Sequence, residues 1–385
     1  LERQKPELIN ISFTTDSNAD IIIVIPCYNE PELLTTLQSI SYCKIPDASV
    51  LVVVIINSGE QSDQEIVRQN RKTEEEIKTF SKNIDNKSIT FSACLFEKLP
   101  KKHAGVGLAR KIGMDLAVRH FKENENKRGI IVSLDADCVV SDNFLVSIYN
   151  TFRENDKLNC TVHNVFHRAE GNHPDIEKAV RQYETYLHYF SDSLKKIGFP
   201  YYYKTIGSSF AVSADAYVKV GGMGRQQGGE DFYFLQKIFE LGNVYELKEV
   251  TVYPMARFSD RVPFGTGPAL QKIIDAPQQV LRVYSRQSFH ELKQLFDIKD
   301  SIFRKNPDEV LNLTSSLHYS LRNFLGVTEF MTSIADCNQN SASLKTFRKR
   351  FFHHFNAFRI IKYLNHVHPD PFELEEITTV TNNLT

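Results

Sequence analysis

The sequence predicts an α/β fold on an open, mostly parallel sheet, and three observations carry that expectation. Residues 21–25, 49–56, 89–96 and 129–134 are short β-rich runs, two of them apolar without a break, as strands covered on both faces must be. Helical patterns alternate with these runs rather than following them in a block. Beyond about residue 267 the strand signals stop. Taken in order, the run IIIVI is followed by a helix over 31–42 that opens on Pro31, and the second run by a charged, nearly core-free stretch, QNRKTEEEIKTFSKNIDNK, read as a solvated excursion. The third run precedes a helix over 107–121 and the fourth a helix over 141–154. A long, Tyr-rich helix over 175–196 and a shorter one over 230–241 complete the region. Residues 269–296, 308–332 and 343–365 then read as helices. The expected organisation is an α/β domain over 1–266 and a helical region over 267–385.

Composition narrows what such a chain does. Of 385 residues 42% are hydrophobic and 11% aromatic, enough for a real core. Lys and Arg number 46 against 47 Asp and Glu, so no field for a polyanion is expected and a nucleic-acid partner is disfavoured. The 6 cysteines stand singly, without CxxC spacing, which argues against a zinc site and a disulfide scaffold and for a reducing, cytoplasmic compartment. No apolar run reaches the roughly 18 to 20 residues of a membrane span, and the amino end is polar, so a soluble or peripheral protein is expected.

The chemistry gathers where strands end. In an open parallel sheet, ligands bind beyond the carboxyl ends of the strands, and Tyr28, Asn29 and Glu30 sit at such an end. The alternative is that Asn29 caps the helix at Pro31. Asn57-Ser58-Gly59-Glu60 makes the same switch from apolar to polar, as does Asp135-Ala136-Asp137. Two carboxylates two residues apart past a buried strand suit one hard cation, Mg²⁺ or Mn²⁺, that shares its shell with substrate phosphates. A DxD triplet alone is a weak signal, and an Asx-turn that caps the next helix reads the same way. Gly228-Gly229-Glu230-Asp231 puts two acids at a helix start behind glycines, either as electrostatic caps or with one acid as a general base.

With PCYNE ending the first strand, DAD after the fourth and GGED opening a late helix, in that order, the chain resembles the GT-A-fold, nucleotide-sugar-dependent inverting glycosyltransferases, family 2-like. The resemblance spans about residues 20–253 and includes Gly105-Val106-Gly107-Leu108-Ala109-Arg110 and Val220-Gly221-Gly222, with Met223 where the family has Phe. It implies a Rossmann-like, mostly parallel sheet flanked by helices. Pro26, Tyr28 and Glu30 then fall where the first strand meets the nucleotide, and Arg110 where a cation neighbours the pyrophosphate. Asp135 would contact ribose and metal, and Asp137 would be the principal ligand of Mn²⁺ or Mg²⁺. Asp231 would deprotonate the acceptor hydroxyl, with Glu230 orienting acceptor or loop. The implied partners are a nucleotide-diphosphate sugar donor and a glycan, lipid-linked or other hydroxyl acceptor.

Two positions depart from the family. Asn57 stands where the family's base-reading aspartate is expected, and since an amide both donates and accepts, the choice of base stays open. Lys111 replaces the Asn after Arg110, as a phosphate contact or as part of a solvated face. Arg257 and Arg261 sit in a Gly- and Pro-punctuated segment, either as phosphate clamps or as surface. Gly207-Ser208-Ser209-Phe210 matches an acceptor-side strand or a plain buried one. His163, His167 and His173 fit no metal spacing and read as surface or loop residues, and His103 is a weaker phosphate candidate. Cys27 and Cys138 read as inert packing. FRKRFFHHFNAFRIIKYLNHV mixes basic and aromatic residues, suited to an anionic membrane surface at its inner face or to packing on the catalytic domain. Two other classes compete: a sugar-nucleotide nucleotidyltransferase, for which PCYNEP lacks a phosphate loop, and a non-catalytic sugar-nucleotide-binding module, which would need neither DAD nor ED.

Overall fold

Isoleucine and valine on both faces of one segment need cover on both, and Ile21–Cys27 forms β1 with every residue buried. After it come α1 (Leu33–Ser41), β2 (Val50–Gly59), α2 (Gln64–Lys82), β3 (Ile89–Leu99), α3 (Val106–Glu123), β4 (Ile130–Ser133), β5 (Cys138–Val140), α4 (Phe144–Glu154) and β6 (Cys160–Val165). Then follow α5 (Pro174–Lys196), β7 (Phe210–Ser213), α6 (Ala214–Lys219), α7 (Glu230–Leu241) and β8 (Val244–Pro254). The computed structural model describes residues 18–100, 104–169, 173–226, 228–258 and 265–381. Arg261 and His103 lie outside them.

Among the described residues 8 strands form one sheet in the order β3-β2-β1-β4-β7-β6-β8-β5. β1 is parallel to β2 and β4, β2 to β3, and β6 to β8, while β7 runs antiparallel to β4 and β6, and β5 to β8. The build order reverses at β1, with β2 and β3 added on one side and β4 on the other. The crevice for a ligand therefore opens past the carboxyl ends of β1 and β4. One glycine sets how closely a helix approaches that crevice. A Cβ on Gly113 of α3 would lie 2.3 Å from Val24 Cγ1 and 3.0 Å from Ile55 Cγ1, so any larger residue pushes α3 off β1 and β2. That fit carries Arg110, one turn earlier on α3, to the strand ends.

The charged excursion is a helix, and it is not wholly solvated: Asn70, Thr73 and Ile77 of α2 are buried. β5, β6 and β8 have no counterpart in the sequence reading. β5 is only 3 residues long, and β8 mixes buried and exposed positions without the unbroken burial of β1 or a strict alternation.

The described residues within Leu1–His173 and Thr205–Ala269 form one compact unit, which holds the sheet. Pro174–Lys204 and Leu270–Thr385 form a second, so α5, placed by the sequence reading in the region 1–266, shares a unit with the later helices. After α8 (Thr266–Ile274) these include α9 (Arg286–Ile298), α10 (Pro307–Thr314), α11 (Tyr319–Leu325), α12 (Val327–Gln339), α13 (Leu344–His354), α14 (Ala357–His366) and α15 (Ile377–Thr381). The strand signals do not stop entirely at 267, since β9 (Arg282–Val283) pairs antiparallel with β10 (Glu375–Glu376). Each long helix expected from periodicity is broken by a local device. Ser285 caps α9 by accepting from Ser288 N–H, Gly326 turns at φ 62° between α11 and α12, and Asn356 caps α14 by accepting from Arg359 N–H. Phe351, Phe352 and Phe355 pack around Phe296 with ring centroids 6.2, 5.2 and 5.4 Å away. The aromatic half of FRKRFFHHFNAFRIIKYLNHV is thus core of the second unit. Among the described residues no helix is long and apolar enough to cross a membrane.

Candidate active site

At the end of β1 the chain turns through Asn29 at φ 46°, a left-handed conformation that is uncommon without glycine and tends to persist where neighbours over-determine it. The neighbour is Asn70 of α2. Its Oδ1 accepts from Asn29 N–H at 3.0 Å and its Nδ2 donates to the Asn57 carbonyl at 2.9 Å, tying the ends of β1 and β2 together. Asn57 Nδ2 donates to the Cys27 carbonyl at 3.0 Å. That bond fixes which way the amide faces, and Asn57 Oδ1 is left buried with no hydrogen-bond partner, as is Ser58 Oγ. Asn29 does not cap α1, whose first turn has no side-chain cap, and Asp137 is followed by β5 rather than by a helix.

The end of β4 meets the start of α7 at one guanidinium. Arg110 is buried; its Nη1 donates to Glu230 Oε1 and its Nη2 to Asp135 Oδ1 at 2.6 Å. Burial would lower the Arg110 pKa, but Asp135, Glu230 and Asp231 around it hold it above the ordinary value. Gly207 closes the cluster from β7's leading edge: a Cβ there would stand 3.0 Å from both Arg110 Nη2 and Asp231 Oδ2. Its carbonyl accepts from Ser133 Oγ at 2.6 Å, which anchors that loop to β4. Burial raises the carboxyls of both Glu230 and Asp231 above their ordinary values, and Arg110 offsets part of the rise. Asp231 Oδ1 accepts from Phe232 N–H at 2.8 Å.

A second guanidinium joins the ends of β1 and β4. Arg257, three residues past β8, donates from Nη1 to Glu30 Oε1 at 3.2 Å, from Nη2 to Glu30 Oε2, and from Nη2 to Asp137 Oδ2 at 3.0 Å. Beside it Arg168 donates from Nη2 to the Asp137 carbonyl at 3.1 Å and from Nε to the Tyr253 carbonyl at 3.3 Å. Burial raises the Asp137 carboxyl, Asp135 and Glu30 add to the rise, and Arg257 opposes it. Such a concentration of carboxylate is what a divalent cation relieves, and the oxygen donors of Asp135 and Asp137 are of the hard type that Mn²⁺ or Mg²⁺ prefers.

The strand ends thus bring together Glu30, Asn57, Arg110, Asp135, Asp137, Glu230 and Asp231, with Pro26 buried at the end of β1 and Tyr28 half-buried just past it. Lys111 is not among them: its ammonium pairs with Asp115 at 2.7 Å. Nor are His163 and His167 surface groups. Both are buried, and burial pushes the His163 pKa down to about 3, a neutral ring bonded to Thr161 Oγ1 at 3.0 Å. Sequence reasoning missed Asn70 and Arg168, one within a charged stretch and the other in a loop, and neither position carries a motif. Among the described residues a separate group, Asp336, Cys337 and His354, lies in the second unit, where Asp336 is already bonded to His354 Nε2 at 2.7 Å and to Asn340 Nδ2 at 2.9 Å.

Three comparisons bear on identity. A family model described as glycosyltransferase-like family 2 matches residues 19–227, more than half of the chain. A comparison with curated proteins finds no match. Among solved structures, TarS 1–349 of S. aureus in complex with UDP-GlcNAc is 11% identical with a TM-score of 0.42, over 90% of each chain. The mannosyltransferase PcManGT of Pyrobaculum calidifontis, in complex with GDP-Man and Mn²⁺, is 14% identical with a TM-score of 0.39, over 91% of this chain and 86% of its own.

Proposed function

The chain belongs to glycosyltransferase-like family 2, and from that premise we propose that it moves a hexosyl or related sugar from a nucleotide-diphosphate donor to an acceptor hydroxyl, with inversion, in polysaccharide, glycolipid or other glycoconjugate synthesis. One observation carries the reading: Arg110 bonds Asp135 of the DAD and Glu230 of the GGED segment, residues 95 apart in sequence. Two motifs that each have a plain structural explanation alone share one cluster.

In this reading Asp231 accepts the proton of the acceptor hydroxyl as it attacks the anomeric carbon. Its raised pKa suits a base that must hold a proton transiently. Glu230 and Asp135, both held by Arg110, keep the acceptor side and the donor side in register. A divalent ion held by Asp137 and Asp135 would supply positive charge against the departing diphosphate. Asn57 would read the base through its Oδ1, a buried oxygen without a partner, since its Nδ2 is engaged by the Cys27 carbonyl, and so would offer an acceptor to a base N–H. Free cysteines at all 6 positions accord with a cytoplasmic setting. With the Phe side chains of α13 in the core, contact with an anionic membrane would fall to its exposed basic residues, such as Lys345 and Lys349.

The test is a screen of UDP-, GDP- and dTDP-sugars with and without Mn²⁺, read by thermal stabilisation and by sugar release. At least one donor should stabilise the protein and turn over only with metal. No stabilisation by any of them would overturn the reading, and NMR showing retained anomeric configuration would remove Asp231 from its role.

A further inference from the structure

The Arg257 guanidinium holds two carboxylates that the donor reading assigns to other partners, Glu30 to the nucleotide and Asp137 to the metal. Its Nη2 donates to Asp137 Oδ2, so a divalent ion on the same carboxylate stands close to this guanidinium, and the two cations repel each other at short range. The ordinary explanation for such a bridge is mechanical, a clasp that holds the segment between β4 and β5 to the end of β8. That task is already done by Arg168, which bonds the Asp137 carbonyl and the Tyr253 carbonyl on the two sides of the same join. Backbone pairing of β5 with β8, Cys138 with Pro254, adds to it. Arg257 is thus surplus as a clasp. Its side chain is 32% exposed, so a ligand phosphate can reach the fork, whose two parallel donors match phosphate oxygens as well as they match a carboxylate. Arg110, by contrast, has both terminal nitrogens committed to carboxylates inside the protein.

We propose that Arg257 is the exchangeable cation of the donor site: it bridges Glu30 and Asp137 as seen here, and on binding of a nucleotide diphosphate with its divalent ion it leaves Asp137 and donates to the diphosphate. The inference rests on the donor reading and adds the residue that neutralises the leaving group from the protein side. It also makes metal and nucleotide mutually dependent, because the metal alone must compete with Arg257 for Asp137, whereas the two together give the displaced guanidinium a new anion.

The test uses the whole chain with Arg257→Ala and Arg257→Lys. Mn²⁺ alone is titrated and free ion followed by electron paramagnetic resonance, and UDP, GDP and dTDP are titrated calorimetrically in EDTA. Arg257→Ala should bind Mn²⁺ on the order of 10-fold more tightly than wild type, and its preferred nucleoside diphosphate on the order of 10-fold more weakly without metal, the size of one charge-assisted bond. Arg257→Lys keeps the charge but not the fork, so its diphosphate affinity should fall between the two. Mn²⁺ affinity unchanged or lower in the alanine variant, or diphosphate affinity equal to wild type, overturns the proposal. A wild-type protein that binds none of the three diphosphates, with or without Mn²⁺, removes the donor reading itself and this inference with it, an outcome distinct from a wild type that binds and a variant that matches it.

Discussion

Arg110 and Arg257 each hold two carboxylates at the strand ends, yet they sit in regions with opposite properties. Arg110 comes from a helix locked to the sheet by Gly113, its side chain is 3% exposed, and Glu230 beside it is 3% exposed. Arg257 comes from the chain past β8 and is 32% exposed. In low dielectric an ion cluster is expensive to break, because a partner left alone is an unpaired buried charge. Near solvent, water and ions replace a lost partner at little expense, which holds for Asp137 at 23% exposure and not for Glu30 at 2%. The first cluster can therefore hold geometry for catalysis, and in the second Arg257 can exchange Asp137 for another anion while Glu30 stays buried.

The largest effect expected from breaking this contrast lies at Asp231, on the fixed side. Asp231→Asn keeps the shape but cannot take a proton, and loss of a general base typically costs ~10²- to 10⁴-fold in rate. Donor affinity should be unchanged, since no donor contact is assigned to that group. The pH profile adds a sign. Because burial raises the Asp231 pKa, wild-type turnover should fall with decreasing pH at values above the ordinary aspartate range, and the residual rate of the variant should lack that limb. If Asp231 only favours the start of α7, Asn serves as well and neither rate nor profile moves.

Next in size is the stability of the fixed cluster. Arg110→Ala leaves Glu230 and Asp135 without their cation, and breaking a buried pair from one side typically costs about 3–5 kcal/mol, read as a drop in urea midpoint at constant slope. The loss should depend on pH. Without Arg110 the Glu230 carboxyl, already raised by burial, rises further. A carboxyl raised in the folded state is tolerated in its neutral form at low pH, and stability is lost as pH rises through that folded value, so the deficit should be smaller in acid than at neutral pH. A deficit independent of pH would mean that the two carboxylates find other partners.

Asn57 extends the contrast to an uncharged group, with a smaller effect. Its Nδ2 is fixed by the Cys27 carbonyl and its Oδ1 has no partner. Asn57→Ala should weaken the preferred nucleotide by on the order of 10-fold and narrow its advantage over the other bases, as loss of one hydrogen bond does. Equal affinity and equal discrimination would show that the base is read elsewhere.

These residues also show what was legible in the sequence. The first four strands and the α7 helix were readable within a few residues, because β-rich runs, two of them unbroken, and a Gly-Gly-acid start have few other outcomes. The motif-bearing acids were readable for the same reason. Asn70 was not, because a buried asparagine in QNRKTEEE looks like the rest of a solvated face until α2 turns it inward. Nor was the pairing of Arg257 with Glu30, 227 residues away, since long-range charge pairing leaves no local pattern. The long C-terminal helices failed at Ser285, Gly326 and Asn356, where a cap or a left-handed turn outweighs periodicity.

The smallest effect is the one that most directly tests the contrast: the stability of Arg257→Ala. Removing this guanidinium leaves Asp137, 23% exposed, open to water, and leaves Glu30, itself buried, with Glu32 N–H still donating to its Oε1 at 3.3 Å. An exposed pair would contribute roughly 0–1 kcal/mol. Glu30 is 2% exposed, so the value rises above that range, while the Glu32 N–H bond and the join held by Arg168 limit the rise. The expected loss is therefore roughly 1–2 kcal/mol, below that of Arg110→Ala because Asp137 is reached by water, measured in the same urea titration. Added salt should shrink it further, because the Arg257 side of the cluster faces solvent, while the Arg110 deficit should hardly change. Equal losses for the two variants, or equal salt responses, would mean that Arg257 is as fixed as Arg110, and an exchange of its partners on donor binding would then be too costly to occur.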